Sequence, residues 1–134
     1  MQKFILIVDD DSDDAQLLSE AVYETNKAYT CIAVSNGEEA LDFLHNTKRL
    51  PEFIFLDLNM PKINGKECLI EIKANHLFDN IRVVIYSTTS QKQEKDELYR
   101  LGADYFLTKP HDFKILKNSI SKILFDKGTK VTTE

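Results

Sequence analysis

Five strand-like runs alternate with five helix-like stretches along the chain, which predicts a doubly wound α/β domain with a five-stranded parallel sheet in the order 2-1-3-4-5. Three observations carry this. The strand runs KFILIV at 3–8, FIFL at 53–56 and IRVVIY at 81–86 hold uninterrupted apolar stretches at 4–8, 53–56 and 83–86, as in strands buried on both faces. Turn residues follow each run, and then a stretch with apolar residues at helical spacing. At 134 residues, with no repeat or low-complexity segment, the chain has the length of one domain that buries roughly two thirds of its unfolded surface.

The first strand, 3–8, ends on Asp9, Asp10 and Asp11, and Asp13 and Asp14 bring the acids to five within six positions. Ser12 or Asp11 caps the first helix, with later acids in its first turn, where the helix dipole favours them. Leu18, Ala21 and Val22 mark its inner face, and it runs to about Asn26. TCIAV at 30–34 is the second strand, and Asn36-Gly37-Glu38-Glu39 is a cap and first turn leading into Ala40, Leu41 and Leu44. FIFL is the third strand, and it stops at a single carboxylate, Asp57. Asn59, Pro61 and Asn64-Gly65 then make a loop and the start of a helix with Leu69 and Ile72 inward. The fourth strand, 81–86, ends at Ser87. Ser90 caps the polar stretch QKQEKDELYRL, whose apolar face is thin, and Gly102 closes that helix. The fifth strand, 104–107, stops before Thr108-Lys109-Pro110, and Asp112 caps a last helix with Phe113, Leu116, Ile120 and Ile123 inward. The domain is expected over 1–126, with 127–134 as a flexible tail.

Composition narrows the function classes. Hydrophobic content of 43% with 29% charged residues is that of a soluble globular chain, and the apolar run 4–8 is too short for a signal peptide or membrane span, so a cytoplasmic protein is expected. The net charge of -5 opposes nucleic-acid binding. Cys31 and Cys68 lie far apart with no partner at metal spacing, so both are expected as core thiols. His45, His76 and His111 fall in surface segments.

Strands 1 and 3 are neighbours in the 2-1-3-4-5 order, so Asp9, Asp10 and Asp57 share one cleft, with Ser87 and Lys109 at the ends of strands 4 and 5. Carboxylates 4 Å apart repel by about 4 kcal/mol at an effective dielectric near 20, so the cleft should recruit a cation. An all-oxygen ligand set favours Mg2+. With that charge and the Lys109 ammonium present, Asp57 can act as a nucleophile toward phosphorus, and Ser87 can donate a hydrogen bond to the product.

The strand-end acids of LIVDD, the LDLNMP around Asp57, the hydroxyl at Ser87 and the Lys109-Pro110 pair resemble the receiver domain of two-component response regulators, with its flavodoxin-like fold. All four motifs come in family order, and the likeness covers about 3–124. The acidic opening is most similar to small stand-alone receivers related to phytochrome-associated regulators. The resemblance implies that Asp57 is the phosphoacceptor, and that Asp10, Asp57 and the main-chain carbonyl of Asn59 bind Mg2+, with Asp9 acting through a metal-bound water. It implies that Lys109 binds the phosphoryl group, that Ser87 is the switch hydroxyl, and that Phe106 is the switch aromatic, turning from a more exposed to a more buried rotamer. His111 departs mildly from the family, where many members carry an apolar residue after the lysine-proline pair.

Implied partners are a histidine kinase or phosphotransfer protein and a downstream protein target, with homodimerisation open and neither nucleic acid nor membrane expected. The chain leaves no room for an output domain, so its output is expected to be protein binding or onward relay. Slow hydrolysis of its own aspartyl phosphate is the only turnover expected.

Three rivals fit less well. Asp9, Asp11, Asp13 and Glu20 match EF-hand loop positions 1, 3, 5 and 12, but position 6 is Asp14 rather than glycine and a strand precedes the loop. A haloacid-dehalogenase-type phosphatase needs a second carboxylate two residues after its nucleophile, where this chain has Asn59. A pseudo-receiver without phosphorylation would be marked by loss of an acid, the lysine or the hydroxyl, and none is lost.

Overall fold

The computed structural model describes residues 3–60, 63–88, 91–126 and 132–133. Its element order is β1 (Lys3–Val8), α1 (Ser12–Thr25), β2 (Tyr29–Val34), α2 (Gly37–Asn46), β3 (Phe53–Leu56), α3 (Gly65–Ala74), β4 (Arg82–Ser87), α4 (Lys92–Arg100), β5 (Tyr105–Thr108), α5 (Phe113–Leu124) and β6 (Thr132–Thr133). All pairings are parallel, in the order β2-β1-β3-β4-β5-β6, so the five expected strands stand in the expected order. The sixth strand, two residues within the segment read as tail, pairs beside β5 at Phe106 and Leu107. The remainder of 127–134 lies outside the described residues.

Side chains alternate across the sheet with period two and feed two cores. Ile5, Ile7, Phe53, Phe55, Val84 and Leu107 pack with Leu18, Val22, Leu116 and Ile120 of α1 and α5. Leu6, Val8, Ile54, Leu56, Ile85 and Phe106 pack with Leu41, Leu44, Leu69, Ile72 and Leu98 of α2, α3 and α4. With both faces covered, the central strands must be apolar at every position, which is why their sequence reads as a continuous run.

Caps set the helix starts. Asp11 accepts from the Asp13 and Asp14 amides, Asn36 from Glu39, Asp112 from Lys114 and Ile115, and Asn64 forms a capping box with Glu67. At α4 the cap position is Gln91, with no side-chain cap hydrogen bond; Ser90, the expected cap, lies outside the described residues. That helix ends in a Schellman motif. The Ala103 amide donates to the Leu98 carbonyl and the Gly102 amide to that of Tyr99, with Gly102 at φ 113°, a conformation that favours glycine.

A 3₁₀ turn, His76–Phe78, which the sequence reading does not resolve, leads into β4 and buries Phe78. Cys68 is buried as expected, whereas Cys31, on the edge strand β2, is only partly so. His45, His76 and His111 are all exposed. No helix among the described residues is long and apolar enough to cross a membrane.

Candidate functional site

Val8 and Leu56 form the last rung between β1 and β3, and both chains leave the sheet one residue later as carboxylates. The Asp57 amide still donates to the Val8 carbonyl at 2.9 Å, and the Asp9 amide to Val34 at 3.1 Å, so the backbone that carries both acids is fixed by the sheet. Asp9 and Asp57 are buried, at 4% and 6% exposure, while Asp10 faces solvent. Each of the three offers a carboxylate oxygen, and these oxygens lie within 4.8 Å of one another. The cleft sits at the β1–β3 junction, where the strand order reverses, the usual ligand position of such sheets.

Two further strand ends close the site. Ser87 pairs with Thr108, and the Lys109 amide donates to the Ser87 carbonyl at 2.7 Å, which brings the lysine over the cleft. Its Nζ donates to Asp9 Oδ2 and to Asp14 Oδ2, both at 2.9 Å, and stands 3.8 Å from Asp57 Oδ1. The same ammonium lies 5.1 Å from the centroid of the Tyr86 ring. Below, the start of α3 presses on the strand end: a Cβ at Gly65 would fall 2.2 Å from the Asp57 carbonyl oxygen. Only glycine allows that approach.

Charge and burial oppose each other in this pocket. The Asp57 carboxyl is raised from 3.8 to about 6 by opposed causes: burial pushes it up most, the Lys109 charge pulls it down, and the Asp9 charge pushes it up. For Lys109, burial acts against the charged form, but the hydrogen bonds to Asp14 and Asp9 and the charges of Asp57 and Asp9 outweigh it and hold the ammonium above the usual lysine value. One lysine faces more than one buried negative charge. The surplus of hard oxygen donors fits a divalent cation.

The remaining candidates divide. Ser87 is fully buried at the end of β4. Asn59 is exposed, with its amide 3.5 Å from Asp57 Oδ1, a long contact. Phe106 is fully buried in the α2–α3–α4 core, with the ammonium of the buried Lys95 5.2 Å from its ring centroid. The expected turn of Phe106 from exposed to buried therefore has no exposed starting point in this structure; a phenyl ring has no hydroxyl to reward contact with water. The calcium-loop rival fails on geometry, since the Asp11 carboxylate is used as a helix cap and Asp9 is held by Lys109.

Sequence reasoning missed Asp14 and Lys95. Asp14 lies 95 positions from its lysine and was already accounted for as a first-turn acid. Lys95 stands where α4 needs an inward residue, and its spacing from Leu98 was the available signal.

Comparison with known proteins adds a lineage to this geometry. The family model for the response regulator receiver domain matches residues 5–121. The response regulator Rcp1 of Synechocystis sp. is 33% identical over 127 residues, spanning 90% of this chain and 86% of that protein. Among solved structures, the phosphorylated cyanobacterial phytochrome response regulator RcpA superposes with a TM-score of 0.83 at 30% identity, covering 92% of this chain and 91% of that one. The Mn2+-bound form of Rcp1 superposes at 0.78 with 32% identity, covering 90% and 91%.

Proposed function

Since the chain belongs to the receiver-domain family of response regulators, which signals by phosphorylation, we propose that it accepts a phosphoryl group on Asp57 from a histidine kinase or phosphotransfer protein and alters its protein-binding surface in response. The observation that carries this reading is the arrangement around Asp57: a buried carboxylate at a strand end, beside two further acids, with the Lys109 ammonium 3.8 Å away.

In the transfer an Asp57 carboxylate oxygen attacks phosphorus. The new P–O bond forms as the P–N bond to the donor imidazole breaks, and the electron pair of that bond stays on the donor nitrogen. Asp57, Asp10 and the Asn59 main-chain carbonyl would hold Mg2+, with Asp9 acting through a bound water; the ion supplies positive charge to the transferring oxygens. Lys109 balances charge on the opposite side, and the Ser87 hydroxyl turns toward the phosphoryl oxygens. Because Phe106 is already inward, its part in the switch is to hold α4 through Leu98 and Lys95 rather than to enter from solvent.

Further parts of the proposal are a cytoplasmic location, a downstream protein target, and slow loss of the phosphoryl group by hydrolysis rather than turnover of an outside substrate. Asn59 in place of a second carboxylate leaves no general acid two residues after Asp57, in keeping with that. Incubation with acetyl phosphate and Mg2+ should add one phosphoryl group by intact mass, and Asp57→Asn should add none. Equal labelling of both proteins would remove Asp57 from its role.

A further inference from the structure

Lys109 is the cation on which the proposed phosphoryl site depends, yet its two short hydrogen bonds are to other groups. One goes to Asp9 and one, equally short at 2.9 Å, to Asp14, while Asp57 stands at 3.8 Å. A lysine ammonium has three protons and no fixed fork, so it redistributes among acceptors according to their charge and reach. The two held acids differ. The Asp9 side chain is 1% exposed and cannot exchange its lysine for water, whereas the Asp14 side chain is 38% exposed and can. Asp14 also lies in the first turn of α1, with Asp11 as cap, where the helix dipole stabilises a carboxylate that has lost its cation.

We propose that Asp14 is a positioning residue for the phosphoryl reaction: it is the resting counter-charge of Lys109, competes with the incoming phosphoryl oxygens for that ammonium, and is released into water when they arrive. Phosphorylation replaces the single charge of the Asp57 carboxylate, 3.8 Å from the lysine, with about two charges spread over three strong acceptor oxygens. Asp14 is the acid that Lys109 can leave at least cost. The competition weakens the hold on the phosphoryl group and ties the state of Asp57 to the N-terminus of α1. The inference rests on the function proposed above.

The test is equilibrium binding of beryllofluoride, a phosphoryl mimic, to the full chain in saturating Mg2+. Asp14→Asn should tighten it about fivefold, within the range of part-exposed ion pairs, and Asp13→Asn, an equal charge change on an exposed neighbour that does not touch Lys109, by clearly less. In wild type the ¹³C signal of the Asp14 carboxylate should move on beryllofluoride addition as the ammonium departs. Equal effects of the two variants, or an unmoved Asp14 signal with beryllofluoride bound, would overturn the proposal and leave the receiver function standing. Failure of wild type to bind beryllofluoride at all would instead remove the function on which it rests.

Discussion

Asp57 is built to be uncomfortable when charged and unoccupied. Its carboxyl is raised to about 6 by burial and by Asp9, against the pull of Lys109, so in the folded metal-free chain it takes up a proton at a pH where the unfolded chain, near 3.8, has lost it. A raised acid contributes stability that is present below the unfolded value and lost as pH rises through the folded one. Asp57→Asn, which cannot titrate, should therefore gain in stability relative to wild type between pH 4 and pH 7 when metal is absent; denaturant midpoints across that range measure it. Mg2+ needs the deprotonated form, so its apparent affinity for wild type should fall about tenfold from pH 7 to pH 5, one unit below the folded value. Stability curves for the two proteins that run parallel through this window would show that Asp57 is not strained.

Helix α4 is the least secured of the helices at its start, and this follows from its residues. Its N-cap, Gln91, makes no side-chain cap hydrogen bond, and only Lys95 and Leu98 are buried along it. The other helices each carry a side-chain cap, and α5 buries Leu116, Ile120, Ile123 and Leu124. An element with so few apolar anchors opens at low free energy, as the proposed shift of the protein-binding surface would require. Gln91→Asp should supply the missing cap, raise stability by about 1 kcal/mol and slow amide exchange in α4, while Asp112→Ala should cost about 1 kcal/mol by removing the cap of α5. Unchanged exchange in α4 after Gln91→Asp would mean that the helix is held by something other than its termini.

Across the whole molecule, the sheet order and the acid cleft were legible because one physical cause underlies both. Strands buried on two faces must be apolar throughout, so a charge can stand only where the strand ends, and Asp9, Asp57 and Lys109 each mark such an end. What was not legible depends on pairing across long sequence distances. Asp14 and Lys109 meet only because α1 returns over the sheet beside β5's exit loop, and a first-turn acid already has a local explanation. Lys95 reads as one more charge in a polar stretch, although it is buried with its ammonium over the Phe106 ring. The burial of Phe106 was equally hidden, since the resemblance implied a ring that moves, whereas β5 holds it inside the ladder opposite Ile85.

The central claim is that one carboxylate at the end of β3 takes the phosphoryl group. An acyl phosphate is reduced by borohydride to an alcohol, so treating the acetyl phosphate-labelled chain in this way and mapping its peptides by mass spectrometry identifies the acceptor directly. Homoserine at position 57 alone is the predicted result; homoserine at Asp9, Asp10 or Asp14, or at no position, would contradict it.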